Sequence, residues 1–338
     1  MRKNGFERLF PGLLSPKDSD EVEEAYYPIS PFMVFPEAYG EFRVYLKRGK
    51  HYFLLTCQAD QFNQKQKEVL SENGIQEVYI HISEKNNYEE YLRDNLAEIL
   101  LNGDIPLQVR SNALYHASSI IVRDVFDKTK VLLDMQSLDQ LTQIVRSSMG
   151  FFASKEALRS IGAIVSPDLT VASHCVRVFL YSAAIFSRFD APEEERIQFG
   201  LGALLHDLGK TTIPKMVLYK RGKLNSEERI LVKQHPQRGV GMASQVPLGQ
   251  ITINTILFHH ERGDGSGYPA GLIASSIPMH ARIISVADSY DTLAAGRPFV
   301  EPLPPARALA VMRENFPGFY DPQILNMLNY FLAQAGVI

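Results

Sequence analysis

Apolar and polar residues follow two different patterns along the chain. Between residue 27 and about residue 101, segments 42–46 and 51–55 alternate on either side of the glycine-containing stretch 47–50, which predicts a β-hairpin. The same region is expected to contain a helix, a strand and a second helix, over 63–72, 75–80 and 88–101. Together these segments predict a small α+β module.

Over 111–165 the pattern becomes helical. Leu114, Ile121 and Val125 are spaced near multiples of three and four, in a stretch with little glycine or proline. Two interpretations stay open. The stretch is a helical connector with the first helices of the next domain, or it is a stiff signalling helix through which two copies form a homodimer. From about residue 156 to the end, every segment is expected to be helical.

The length of the chain, 338 residues, is sufficient for two domains that each bury a core. The predicted fold is mainly α, with an all-helical C-terminal bundle and a small N-terminal α+β module that acts as sensor or regulator. Four segments are expected, namely a mobile polar arm, this module, a helical connector and the helical bundle, over 1–27, 28–105, 106–155 and 156–338.

Composition narrows the class of partners. The net charge is −3, with 45% apolar and 22% charged residues, so electrostatics favour neither DNA or RNA nor an anionic membrane. Cys57 and Cys175 are far apart, which indicates reduced thiols rather than a disulfide framework. No apolar run suits a signal peptide or a membrane span. We therefore expect a soluble, cytoplasmic protein.

Two short segments of the helical region carry candidate metal ligands. His206 and Asp207 are adjacent, and Lys210 follows one helical turn later. His259 and His260 are adjacent at the mouth of a glycine-rich loop. Neutral imidazole and carboxylate bind divalent first-row metals, and paired metals activate water against phosphoesters. These pairs predict a metal-dependent phosphohydrolase.

In their order and spacing, these residues and their flanking segments resemble the HD-GYP domain, a branch of the HD phosphohydrolases, over about 168–322. Known members of that family hydrolyse cyclic di-GMP to the linear dinucleotide pGpG or to GMP, with two or three iron or manganese ions. The resemblance implies that seven residues bind metal: His174, His206, Asp207, His235, His259, His260 and Asp288.

The resemblance also implies how the metals work. Asp207 would bridge two ions, and a hydroxide held between them would attack phosphorus in line. The ligand set has no thiolate, which argues against structural zinc and suits Fe or Mn, although Zn, Ni and Mg stay open. Members with three ions carry a glutamate where this chain has Thr170. We therefore predict two ions and pGpG as the product, with cleavage on to GMP left open.

Two basic residues are candidates for contact with substrate. Lys210 suits catalysis and substrate binding, because a compact cation can hold a phosphate oxygen. The alternative is a lysine that stabilises the C-terminal end of a helix. Arg297 is a weaker candidate for a second phosphate contact, and a surface or structural arginine is nearly as good an interpretation. Cys175 follows His174 but points about 100° away on a helix, so we do not expect it to bind metal.

The glycine-rich loop contains Gly265, Gly267, Tyr268 and Pro269. Glycine suits positions where the backbone takes a positive φ or another group approaches closely. The resemblance makes this loop a conformational or partner-contact element, with a diguanylate-cyclase-type protein as the expected partner. Loop capping is expected for two neighbouring acids, Glu261 and Asp264.

Three functions follow from these observations. The first is a metal-dependent phosphodiesterase that hydrolyses cyclic di-GMP and is regulated by the N-terminal module. The second is a catalytically weak module that binds cyclic dinucleotides. The third is an HD phosphohydrolase for another nucleotide. The intact ligand set and Lys210 favour the enzyme.

Overall fold

The computed structural model describes nine parts of the chain: 25–34, 40–56, 62, 64–75, 77–128, 132–152, 155–162, 169–296 and 301–338. The chain forms two compact units, Met1–Ala117 and Ser118–Ile338. The boundary lies inside one long helix, Leu107–Lys128.

The first unit contains a four-stranded antiparallel sheet in the order β1-β4-β2-β3. Its strands are β1 (Tyr26–Ile29), β2 (Val44–Arg48), β3 (His51–Thr56) and β4 (Val78–His81). The predicted hairpin is confirmed, because β2 and β3 pair around Gly49, which has a φ of 62°. β1 was not predicted. Tyr26 and Tyr27 pair with β4, so they belong to the sheet rather than to the expected arm; residues 1–24 lie outside the described residues.

Four helices follow the strands or lie between them: α1 (Gln64–Glu72), α2 (Lys85–Asp94), α3 (Leu96–Leu101) and α4 (Leu107–Lys128). The predicted end of α1 at residue 72 is confirmed, and Gly74, which has a φ of 72°, supplies the left-handed residue that commonly follows a helix end. The single helix expected over 88–101 is wrong. Asn95 interrupts it, and its side-chain amide donates to the carbonyl of Tyr91, which competes with helical hydrogen bonding.

The second unit is an all-helical bundle, as predicted. Its helices are α5 (Met135–Phe152), α6 (Lys155–Gly162), α7 (Val171–Phe186), α8 (Glu193–Leu205), α9 (Lys215–Leu218), α10 (Ser226–Lys233), α11 (His235–Met242), α12 (Gln250–Phe258), α13 (Met279–Ala294), α14 (Pro305–Glu314) and α15 (Pro322–Gln334). A 3₁₀ segment, Leu208–Thr212, follows α8. Among the described residues, no helix combines the length and the hydropathy that crossing a membrane requires.

Helix α8 packs closely against two neighbouring helices at two of its glycines. A Cβ at Gly200 would lie 2.6 Å from a methyl carbon of Val145 on α5, and one at Gly202 would lie 2.6 Å from the Cβ of Thr255 on α12. Both neighbouring helices therefore approach α8 closely. Helix α5 fell within the predicted connector, but its packing makes it part of the bundle core.

The starts of two helices follow from local capping. The N-cap of α10 is Asn225, which forms a capping box with Glu228. Pro236 lies in the first turn of α11. Proline suits that position because it has no N–H to leave unpaired.

Candidate metal centre

The structure brings the seven predicted ligands together inside the second unit, mostly at helix ends. His174 lies in the first turn of α7 and His235 begins α11, whereas the two adjacent pairs directly follow α8 and α12. Their ligand atoms form two groups, each within 4.8 Å: Asp207, His235, His259 and His260, and His174, His206 and Asp288. Their role as ligands stays a prediction.

Asp207 faces both groups. Its Oδ1 lies 3.2 Å from Nε2 of His235 and 3.8 Å from Nε2 of His259. Its Oδ2 lies 3.5 Å from Nε2 of His174 and 3.6 Å from Nε2 of His206. Each carboxylate oxygen is therefore directed to a different group, which is the arrangement that a bridging carboxylate requires.

Asp288 links the groups a second time. Its Oδ1 lies 3.0 Å from Nε2 of His174, and its Oδ2 lies 3.7 Å from Nδ1 of His260. The side chain is buried on α13, in a run of apolar residues. The two carboxylates thus connect all the histidines of the centre.

Three of the histidines are oriented by the backbone just before them. Their Nδ1 atoms lie 2.7–2.8 Å from the carbonyl oxygen three residues earlier, in the pairs His206–Ala203, His235–Val232 and His259–Ile256. A carbonyl only accepts, so Nδ1 carries the proton. In the neutral ring, Nε2 then presents a lone pair to the centre, as metal ligation requires.

The buried acceptors of the centre fit a divalent cation. Among the described residues, neither Nε2 of His206 nor Oδ1 of Asp207 has a hydrogen-bond partner, and both atoms are buried. Nε2 of His235 lies 3.2 Å from Nε2 of His259, although both are acceptors in the neutral rings. Buried acceptors that face one another are costly unless a cation lies between them. The donor set of nitrogen and oxygen suits a divalent first-row metal.

The charges of the side chains agree with this interpretation. Burial lowers the pKa of His206, His259 and His260, so these rings are neutral at pH 7. Burial alone would raise the pKa of Asp207, but the ammonium of Lys210 beside it holds that pKa well below its usual range. These three neutral imidazoles therefore lie beside an ionised carboxylate.

A glycine positions His235 against Asp207. A Cβ at Gly209 would lie 2.0 Å from the carbonyl oxygen of His235 and 2.7 Å from the amide nitrogen of Gly239. Only glycine lets the segment Leu208–Thr212 lie directly against α11. Close backbone packing at Gly209 thus brings His235 next to the pair His206-Asp207.

Lys210 lies where it was expected. Its Nζ donates a hydrogen bond to Oδ2 of Asp207, and its side chain lines a cavity of about 640 Å³ beside the metal centre. This volume is within the range of small-molecule sites. Lys220 and Lys223 contribute positive charge to the cavity wall, although Lys220 is paired with Glu228. The cavity therefore suits an anionic ligand.

Thr170 also lines this cavity, but it has a structural contact. Its hydroxyl oxygen accepts a hydrogen bond from the amide of Ser173, at 3.3 Å, and so caps α7. The side chain is neutral and cannot supply the charge that a glutamate would bring. The structure therefore adds no carboxylate at this position.

The glycine-rich loop is organised by Glu261, which is buried and accepts hydrogen bonds from three loop amides, those of Ala270, Gly271 and Leu272. A Cβ at Gly267 would lie 2.5 Å from the Cα of Glu261, and Gly265 has a φ of 80°. Tyr268, which precedes Pro269, stacks on the ring of His260 at 4.7 Å. Loop capping by Glu261 is confirmed, and the loop covers one side of the centre.

Two functional candidates were missed from the sequence. Asp291 is buried on α13, and its Oδ2 lies 2.7 Å from Nδ1 of His174. Arg177 donates to both oxygens of Asp291, at 2.7 and 3.0 Å. A signal was present, because Asp288 and Asp291 are spaced one helical turn apart in a mostly apolar helix.

Two other residues were considered from the sequence. Arg297 lies outside the described residues, so its contact with phosphate stays a prediction. The sulfur of Cys175 lies within 4.8 Å of ligand atoms of His206 and Asp207. Burial raises the pKa of its thiol well above the usual range, so it is protonated and a poor ligand.

The chain is similar in sequence to an HD-domain family model and to several phosphodiesterases of cyclic dinucleotides. The family model described as HD domain matches residues 113–324. A cyclic di-GMP phosphodiesterase of Pseudomonas aeruginosa is 30% identical over 303 residues, which cover 86% of this chain and 70% of that protein. A 3'3'-cGAMP-specific phosphodiesterase of Vibrio cholerae is 34% identical over 152 residues, which cover 45% of this chain and 33% of that protein.

A solved structure shares the fold. It is that of an HDG"Y"P protein from Bdellovibrio bacteriovorus, with a TM-score of 0.64 and 23% sequence identity. The match covers 91% of this chain and 99% of that protein.

Proposed function

The chain belongs to the HD-GYP branch of the HD domain family, and from this premise we propose that it is a metal-dependent phosphodiesterase that hydrolyses cyclic di-GMP to pGpG. The observation that carries the proposal is the position of Asp207, whose two oxygens face two separate groups of ligand atoms. The choice of substrate is supported by the relatives from Pseudomonas aeruginosa and Vibrio cholerae, which are both named as phosphodiesterases of cyclic dinucleotides.

The protein side chains have defined tasks in this proposal. The seven ligands would hold two divalent ions, which supply an activated water and neutralise charge on the phosphate. Lys210 lies beside Asp207 and lines the cavity, so its ammonium can hold a phosphate oxygen as charge develops there. Lys223, further along the cavity wall, would attract the second phosphate of the ring.

We propose that two ions, iron or manganese, are bound rather than three. The reason is Thr170, whose neutral hydroxyl caps α7 where a further acidic ligand would be needed. Two ions favour release of pGpG over cleavage to GMP.

A second candidate substrate is the hybrid dinucleotide 3'3'-cGAMP, which the Vibrio cholerae relative hydrolyses according to its name. Regulation by the first unit also belongs to the proposal, since α4 continues from that unit into the catalytic one. Dimerisation through the connector helices, and contact of a diguanylate-cyclase-type protein with the Gly-Tyr-Pro loop, are partners that we propose on the family resemblance.

The experiment is turnover by anaerobically purified protein, loaded with Fe or Mn, with cyclic di-GMP and 3'3'-cGAMP in parallel. Products are separated by chromatography and the bound metal is counted on the same sample. We expect pGpG to accumulate, and Asp207→Asn to lose both metal and activity. Rapid formation of GMP would contradict the two-ion proposal. Metal binding without cleavage of either dinucleotide would favour the catalytically weak binding module.

A further inference from the structure

We propose that Asp291, held by Arg177, is a positioning residue that sets how tightly His174 binds its metal ion. The inference rests on the proposed function, because it assumes that the centre binds divalent metal. It concerns only the group formed by His174, His206 and Asp288.

His174 differs from the three histidines that bond to the backbone just before them. They donate from Nδ1 to a neutral backbone carbonyl three residues earlier. His174 instead directs Nδ1 to a carboxylate on another helix, Oδ2 of Asp291, at 2.7 Å. A carboxylate partner fixes the ring orientation and raises the basicity of the opposite nitrogen more than a carbonyl does. His174 is therefore the ligand of this set whose strength depends on a second charged side chain.

Arg177 holds Asp291 in place. Its Nε donates to Oδ1 at 2.7 Å and its Nη2 donates to Oδ2 at 3.0 Å, which is the two-point geometry of a guanidinium and a carboxylate. Both side chains are almost completely buried, with exposed fractions of 4% and 2%. Because Arg177 lies one turn after His174 on α7, the same helix supplies the histidine and the clamp on its partner.

Helix α13 presents two acids to the two nitrogens of one ring. Oδ1 of Asp288 lies 3.0 Å from Nε2 of His174, and Asp291, one turn later, accepts at Nδ1. Asp288 is positioned to share the ion, whereas Asp291 lies behind the ring.

The test is metal binding by the full chain without substrate. Mn²⁺ is titrated into the chelator-stripped protein under anaerobic conditions, and the number and affinity of ions are measured by calorimetry and metal analysis. In wild type we expect two ions. In Asp291→Ala, the affinity of one ion should fall about 10–100-fold while that of the other is unchanged. Asp291→Asn keeps an acceptor for Nδ1 without the charge. Its affinity for that ion should lie between those of wild type and Asp291→Ala.

Three further variants separate positioning from folding. His174→Ala should lose the same ion, and combining it with Asp291→Ala should cause no additional loss, because the acid acts through the ring. Glu195→Ala is the matched control, since it removes a carboxylate from His280, 2.9 Å away and outside the centre. We expect this control to bind both ions as wild type does.

The possible results are distinct. If Asp291→Ala binds two ions with wild-type affinity, the inference is wrong although the proposed function stands. Equal weakening of both ions in the alanine and asparagine variants, with a lowered melting temperature, would also overturn it by indicating a structural role. A wild-type protein that binds no ion would contradict the proposed function and the inference together.

Discussion

Each histidine of the metal centre has two ring nitrogens, and the hydrogen bond at one nitrogen decides what the other can do. At His206, His235 and His259 the bond to a backbone carbonyl leaves Nε2 as a lone pair. At His174 the acceptor at Nδ1 is the carboxylate of Asp291, and Nε2 again faces the centre. The predicted ligands are therefore oriented by groups outside the predicted ligand set.

Lys210 is the residue for which catalysis and structure can be separated. Lys210→Met removes the cation beside Asp207 and leaves all seven ligands in place. We expect kcat to fall about 10²–10³-fold, as for loss of one electrostatic donor, with metal content unchanged. Lys215→Met, on the exposed helix α9, is the control and should retain full kcat. Unchanged turnover in Lys210→Met would support the interpretation that this lysine only stabilises a helix end.

Metal binding should depend on pH through His174. Burial lowers its pKa, but hydrogen bonds to Asp288 and Asp291 outweigh that effect and raise the pKa to about 9. Below pH 9 a metal must therefore displace a proton from this ring, whereas His206, His259 and His260, with lowered pKa values, carry none. At pH 8 we expect about one proton released on binding and an affinity that rises with pH. Calorimetry in buffers of different ionisation enthalpy measures the number of protons released. Release of no proton would contradict the conclusion that the metal displaces a proton from His174.

At the scale of secondary structure, most of the predicted ligands lie at helix ends. The pairs His206-Asp207 and His259-His260 directly follow α8 and α12, and His235 begins α11. Helices α8 and α12 approach closely at Gly202, and α11 approaches the segment after α8 at Gly209. Metal ligands on separate helix ends meet only if the helices pack at short range.

The contact at Gly209 can be tested with a matched pair of glycines. Gly209→Ala would place a Cβ 2.0 Å from the carbonyl oxygen of His235, so the 3₁₀ segment and α11 must separate. We expect a loss of at least about 1–3 kcal/mol in the free energy of unfolding, together with lower metal content. Gly241 lies on α11 itself, and a Cβ there would meet no atom of the described residues within 4 Å. Gly241→Ala should therefore leave the free energy of unfolding unchanged or raise it by about 0.5–1 kcal/mol. Thermal unfolding and metal analysis compare the two variants.

For the whole molecule, the position of the domain boundary matters. The bundle was expected to begin at residue 156, but the compact unit is Ser118–Ile338 and the family match begins at residue 113. Helix α5 lies between the expected start of the bundle at residue 156 and the start of the compact unit at Ser118. Its Val145 packs on α8, and the ring of Phe152 contacts that of Phe179 on α7 at 5.8 Å.

Two fragments distinguish these boundaries. A fragment of residues 156–338 lacks α5, which exposes apolar faces of α7 and α8, so we expect it to aggregate on expression. The fragment Ser118–Ile338 should remain soluble, helical and able to bind metal at wild-type stoichiometry. Circular dichroism, gel filtration and metal analysis give the comparison. A folded, metal-loaded 156–338 fragment would show that α5 is dispensable.

The sequence by itself determined the ligand types, their order and the mainly helical class. These properties are local, because adjacent pairs such as His206-Asp207, the alternation of the hairpin and the cap at Gly74 depend on near neighbours. It also indicated the family through spacing within short segments. It did not reveal the break at Asn95, where a side-chain hydrogen bond competes with a helix that the periodicity favours.

Only the tertiary structure decided how the ligands are shared and supported. Which oxygen of Asp207 faces which group depends on the packing of four helices, and no local pattern records it. Asp291 and His174 are 117 residues apart, yet they form one of the short hydrogen bonds of the site. Such contacts arise because buried charges must find partners once helices pack. The roles of single acids in this centre therefore follow from packing.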